Sequence, residues 1–221
     1  MIFLSRLVSS LFHPIFILNY VLILLFLVNP YLFGIQDSTQ KGLLFISVFL
    51  LSVFFPLFTI LVMKLVGFID SFEIKDRKER VMPLIITGVF YLWLFVNIRQ
   101  NSIVPSAFSI FVLGATIALF IAFFINNFSK ISLHTVGMGG LVAMVFLIRT
   151  YFSYKVFSFN FGPLGVYSIS LDLILFLSII FAGLVGTSRL HLNAHRRQDV
   201  YMGYLVGVLA QVIAFRFLYE G

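Results

Sequence analysis

The sequence predicts an all-α protein, a polytopic membrane bundle of six or seven transmembrane helices forming a single domain over residues 1–221. Three observations predict it. Hydrophobic residues make up 61% of the chain and charged residues only 10%, where a soluble domain carries about a quarter charged. Several apolar runs reach the roughly 20 residues that a helix needs to cross the hydrocarbon core. The polar residues fall in short clusters between those runs.

The first span is expected from about Pro14 to Phe33, closing at Gly34-Ile35-Gln36-Asp37. Arg6 precedes it without a small-residue cleavage site, so it reads as a retained span rather than a signal peptide. His13 reads as an interfacial residue beside it. The second span runs from Gly42 to about Val66, and a charged loop follows from Asp70 to Pro83. The third segment, Leu84 to Ile98, is short, and whether it crosses or only dips into the bilayer separates seven spans from six. The fourth runs from Val104 to Ile125, and Asn126 to Lys130 lead to Ser132-Leu133-His134. A fifth span covers Thr135 to Phe152. Tyr154 to Gly165 reads as an aromatic-rich interfacial turn before a sixth span from Val166 to Val185. The stretch T-S-R-L-H-L-N-A-H-R-R-Q-D-V, Thr187 to Val200, precedes a last span from Tyr201 to Leu218.

The composition also excludes. With no cysteine, disulfides are ruled out. The net charge of +7 suits loops beside anionic headgroups or an anionic substrate. The basic residues are not gathered in a tail, which speaks against nucleic acid. With alternating spans, the Asp70–Pro83 loop, the Lys130–His134 link and the Thr187–Asp199 loop share one membrane face. Ionisable residues gathered at the edge of spans mark a functional site by default.

The chemistry of these clusters converges on phosphate. His195 and Asp199 are four residues apart and would share a helix face. The carboxylate could then fix one imidazole nitrogen and leave the other as nucleophile or base. On the same face, Gly203 and Gly207 would let another helix approach closely. Arg189 carries a fork of donors suited to phosphate. Ser132 and the backbone N–H of Leu133 stand at the start of a helix, where orphan donors collect, and His134 is a candidate general acid. Lys75, Arg77, Lys78 and Arg80 add cations. No carboxylate cluster suggests a magnesium site.

The pattern Ser188-Arg189, His195, Asp199 (S-R-x5-H-x3-D) resembles the third signature motif of the type 2 phosphatidic acid phosphatase superfamily in full. Ser132 and His134 match the serine and histidine of its P-S-G-H motif, while Ile131 and Leu133 replace the proline and glycine. Lys75 and Pro83 match its K-x6-R-P motif, with Met82 at the arginine position. The resemblance implies a membrane lipid phosphatase without metal or cofactor. His195 would form a phosphohistidine, with Asp199 orienting and supporting it. His134 would protonate the leaving oxygen. Lys75, Arg189, Ser132 and the Leu133 backbone would hold the phosphate, with Arg80 replacing the missing arginine if the chain is non-helical there. Substrates would be undecaprenyl pyrophosphate, phosphatidylglycerol phosphate, phosphatidic acid or a lipid A phosphate.

Two other readings stand beside this one. The departures in the first two motifs would fit a non-catalytic protein that binds or carries lipid phosphates. His191, His195 and Asp199 at successive four-residue steps would fit a metal-dependent hydrolase. The expected location is a bacterial inner membrane with the site facing the periplasm or exterior. The basic residues at the site face point the other way under the positive-inside rule, but the phosphate chemistry accounts for part of them.

Overall fold

The computed structural model describes residues 2–28, 38–74, 76–101, 104–152, 156–160 and 162–219. Its helices are α1 (Ile2–Leu11), α2 (Pro14–Val28), α3 (Ser38–Phe49), α4 (Phe55–Leu65), α5 (Val81–Arg99), α6 (Ser106–Asn126), α7 (Leu133–Tyr151), α8 (Leu171–His191) and α9 (Arg197–Tyr219). Six helical stretches are long and apolar enough to cross a membrane alone: Thr39–Leu65, Lys78–Arg99, Ser106–Asn126, Leu133–Tyr151, Leu171–His191 and Arg197–Tyr219. The pair α1–α2, bent by 58°, passes the same test only when taken together, as a broken span or a re-entrant loop. The protein is an all-α integral membrane bundle.

The third segment is long and apolar enough to cross, because the helix takes in Val81 to Pro83 ahead of the apolar run and Arg99 behind it. The span with unusual geometry is the first. Pro14 opens α2, and the residue before a proline is pushed out of the helical region, so the chain breaks at Phe12-His13. The end of that expected span, Gly34 to Asp37 included, lies outside the described residues. In the second span, α3 and α4 join through a π-helical turn at Leu50–Phe54. Pro56 follows at once, and its missing N–H and its ring disturb the ladder there. Asn19 of α2 donates to the Ser52 hydroxyl in that turn at 2.8 Å, a buried polar link between two spans.

The aromatic segment before α8 corrects the sequence reading. It is a hairpin of β1 (Val156–Asn160) and β2 (Val166–Ser170), paired antiparallel from Val156–Ser170 to Asn160–Val166. V-F-S-F-N and V-Y-S-I-S alternate β-branched or aromatic residues with small polar ones, a strand pattern. Gly162 and Gly165 take the positive φ that the connection needs. The sixth span therefore begins at Leu171, capped by the Ser170 hydroxyl accepting from Leu173 N–H.

α7 packs along α9 and α8, and α6 packs against α9. The first contact depends on absent side chains. A Cβ on Gly207 would stand 2.1 Å from the Val136 carbonyl oxygen, and one on Gly139 would stand 2.5 Å from the Tyr204 carbonyl oxygen. Gly203 is equally tight, facing Thr135 and the Ser132 carbonyl. The stripe Asp199–Gly203–Gly207 therefore packs as the sequence suggests, and the glycines after His134 serve helix contact. The α4–α5, α6–α7 and α8–α9 connections meet at one end of the bundle, and the hairpin lies at the other.

Candidate active site

Three connections are laced together by hydrogen bonds. Arg77 donates to the Phe128 carbonyl at 2.7 Å, and Asn126 returns a bond to the Arg77 carbonyl at 2.8 Å. Ser129 donates to Asp199 Oδ1 at 2.6 Å, and His195 Nδ1 donates to the Lys130 carbonyl at 3.0 Å. The shared face inferred from span parity is thus a single polar surface.

The third-motif segment is not one continuous helix. α8 ends at His191, Asn193 adopts φ +52°, and α9 starts at Arg197. Asparagine tolerates this left-handed position better than most residues, which suits a helix stop. His195 lies in the turn, so it and Asp199 do not share a helix face. The carboxylate does not hold the imidazole as expected. Asp199, 8% exposed, accepts from Ser129 and from the Arg196 N–H at 2.9 Å. The second bond runs back from the third helical residue to the residue before the helix, one half of a capping box. Asp199 fixes the turn, and the Lys130 carbonyl orients the ring. The helix break also removes the metal geometry that rested on His191, His195 and Asp199 sharing one face. Among the described residues no three His, Cys, Asp or Glu side chains gather as a metal would need.

A carbonyl only accepts, so Nδ1 of His195 carries the hydrogen and the neutral ring leaves Nε2 with its lone pair. Burial holds the imidazole below its ordinary value, down to about 4, and Arg80, Arg189 and Lys130 push the same way. Burial and the charges of Arg80 and Arg189 also lower the Lys130 ammonium. These cations converge on His195.

Ser132 is the residue before α7 and is completely buried. A serine there ordinarily caps the helix with its hydroxyl. Here it makes no cap bond, and its Oγ has no partner. Leu133 is the first residue of α7, where N–H groups have no intrahelical acceptor. Arg189 Nε is likewise buried and unpartnered. Arg80 lies in a 3-10 turn, Lys78–Arg80, just ahead of α5. Its guanidinium reaches the Ile74 carbonyl at 3.1 Å and the Ile131 carbonyl at 3.2 Å, beside Ser132. Met82, which stands where the resembled motif has arginine, is 50% exposed. Arg80 thus reaches the Ile131 carbonyl from a 3-10 turn with helical dihedrals, not from the non-helical loop that the sequence reading required. Lys75 lies outside the described residues.

His134 donates from Nε2 to the Ser9 carbonyl at 3.0 Å and packs against the His13 ring. His195 and Arg189 are both within electrostatic range of it. A cavity of about 540 Å3 opens beside His195, lined by Arg77, Ser129, Lys130, Arg196 and Asp199 among others. The sequence reading missed Ser129, His13 and the carbonyls of Lys130 and Ser9. No motif marks a main-chain acceptor, and His13 stands more than a hundred residues from its partner. Comparisons with family models, with curated proteins and with solved structures gave no match to this chain.

Proposed function

We propose that the chain is a metal-independent phosphatase of a lipid phosphate or lipid pyrophosphate. The observation that carries the proposal is that two buried donors, Ser132 Oγ and Arg189 Nε, have no partner, while the Arg189 charge acts on both His134 and His195. Buried polar atoms without partners are uncommon and ask for an explanation. A phosphate with several acceptor oxygens satisfies them together.

In the proposed reaction, Nε2 of His195 attacks phosphorus and forms the P–N bond. The bond from phosphorus to the ester or anhydride oxygen breaks, and His134, having first taken a proton from water onto Nδ1, gives that oxygen the Nδ1 proton while Nε2 stays on the Ser9 carbonyl. Water then attacks the phosphohistidine while His134 takes a proton back. Inorganic phosphate leaves and His195 is restored. Arg189, Ser132, the Leu133 N–H and Arg80 neutralise the transferring group, and Lys75 joins them through the resemblance. Positioning and electrostatics supply most of such catalysis. The lipid tail stays among the apolar outer faces of the helices. The expected setting is a bacterial inner membrane with the site on the outer face.

One observation favours a second reading. The family's arginine position is an exposed methionine, and two carbonyls already occupy Arg80. A site so altered would bind lipid phosphates, or carry them across, without cleavage. Phosphate release by detergent-purified protein separates the readings, using a panel of lipid phosphates with chelator present. Release should survive the chelator and vanish in His195→Ala. His134→Ala should lose on the order of a hundredfold or more, the span of a lost general acid. Release by His195→Ala at the wild-type rate would sink the phosphohistidine. Binding without release by the wild type would favour the second reading.

A further inference from the structure

The break between α1 and α2 brings a third histidine to the site. The ring of His13 packs edge-on against His134, with centroids 5.0 Å apart and planes at 84°. Its Nδ1 faces the Ile15 N–H at 3.4 Å, at the start of α2. α7 makes room for this approach. A Cβ on Gly137 would stand 2.7 Å from Ile17 Cδ1 and 3.4 Å from Pro14 Cβ, so a side chain there would first displace the end of the Ile17 side chain.

The last turn of α1 supplies the second contact. The Ser9 carbonyl takes the hydrogen on His134 Nε2. A carbonyl cannot donate, so Nε2 is protonated and the neutral ring leaves Nδ1 with its lone pair. The Ser9 hydroxyl is itself buried without a partner, as are Ser132 Oγ and Arg189 Nε. α1 packs on α8, the helix that carries Arg189. Its Ser5 and Ser9 face inward, while Phe3, Leu4 and Leu7 face outward.

We infer that His13 and the Ser9 carbonyl are positioning groups that hold His134 in one ring orientation and one tautomer, making the α1–α2 break a wall of the active site. The catalytic consequence rests on the phosphatase reading; the tautomer does not. Each site histidine then has its own main-chain acceptor, Lys130 for His195 and Ser9 for His134.

The test uses the full chain in detergent with 15N-labelled histidine. It also measures kcat and KM for phosphate release from phosphatidic acid, phosphatidylglycerol phosphate and undecaprenyl pyrophosphate. The wild type should show His134 protonated at Nε2 and not at Nδ1. His13→Ala should mix the tautomers and lower kcat about ten- to a hundredfold with KM nearly unchanged, the scale of a misplaced reacting group. His13→Phe, which restores an aromatic edge against His134, should recover most of kcat. A wild-type spectrum with the hydrogen on Nδ1 overturns the inference with no variant needed. So does a His13→Ala protein with an unmixed tautomer and wild-type kcat. If His13→Ala does not fold, the wild-type spectrum and His13→Phe still decide. A fixed Nε2–H tautomer with no release from any of the three lipids would defeat the phosphatase reading and leave the positioning intact.

Discussion

In the proposed reaction His195 must keep a lone pair, and its surroundings leave one on Nε2. A carboxylate on its Nδ1 would favour the imidazolium; the Lys130 carbonyl orients the ring with a weaker pull. Burial acts against the charged ring, and Arg80 is the largest charge acting with it. The ring therefore stays neutral as pH falls from 7 until about 4, instead of titrating near 6.5. In the unfolded chain it would take its proton near the ordinary value. Between those two values the unfolded state binds more protons, so the folded state loses stability as pH falls through that window. Arg80→Gln removes the leading charge and should move the His195 midpoint upward, toward 6.5. An NMR titration of labelled histidine reads this in the substrate-free protein. An unmoved midpoint would mean that burial alone sets the value. At this scale the S-R-x5-H-x3-D pattern pointed to His195 and Asp199, but not to their partners. Asp199 belongs to the motif yet serves the turn, while the acceptor for the imidazole is a carbonyl that no residue type announces.

The elements were legible wherever hydropathy and punctuation agreed. α6, α7 and α9 start and stop within a few residues of their apolar runs. Hydropathy alone could not register the bend at His13, because the residues on both sides of it are apolar. The signal was the proline behind it. Nor could hydropathy separate Val166–Ser170 from the helix after it, since a strand and a helix of equal apolarity score alike. The glycine stripe was legible because its spacing repeats with the helix, and it gives a paired test. Gly207→Ala places a Cβ against the Val136 carbonyl and the Gly140 N–H, both main chain. α7 and α9 must part, at a cost of about 1–3 kcal/mol as in other overpacked interiors. Since α7 carries His134 and starts just after Ser132, activity should fall with stability. Gly183→Ala in α8 meets nothing within 4 Å and should be neutral or stabilising by up to about 1 kcal/mol. Melting the two variants side by side in detergent checks the pair. Equal melting temperatures would show that α7 and α9 are not in close contact.

At the scale of the whole molecule, sidedness is where charge and chemistry pull apart. Among the described residues, and leaving aside Arg6 on α1, the site end carries Lys64, Arg77, Lys78, Arg80, Lys130, Arg189, Arg196 and Arg197. The hairpin end carries Lys41, Arg99, Arg149 and Arg216. That excess alone would turn the site toward the cytoplasm. Three of the eight, Arg80, Lys130 and Arg189, act on His195 and would be accounted for by the proposed phosphate chemistry. Setting them aside leaves five against four, too small a bias to orient the bundle. By the resemblance, the outer face is the predicted location of the site. The chain has no cysteine, so single cysteines can be read without background. Gln198→Cys, exposed in the first turn of α9, should react with an impermeant maleimide in intact cells. Ser168→Cys, exposed on β2, should react only after the membrane is opened. The reverse pattern would move the substrate phosphate to the cytoplasmic leaflet and make the basic excess a true orienting signal. Labelling of both from one side would contradict the single crossing of α8 between them, and with it the parity that places the three site connections together.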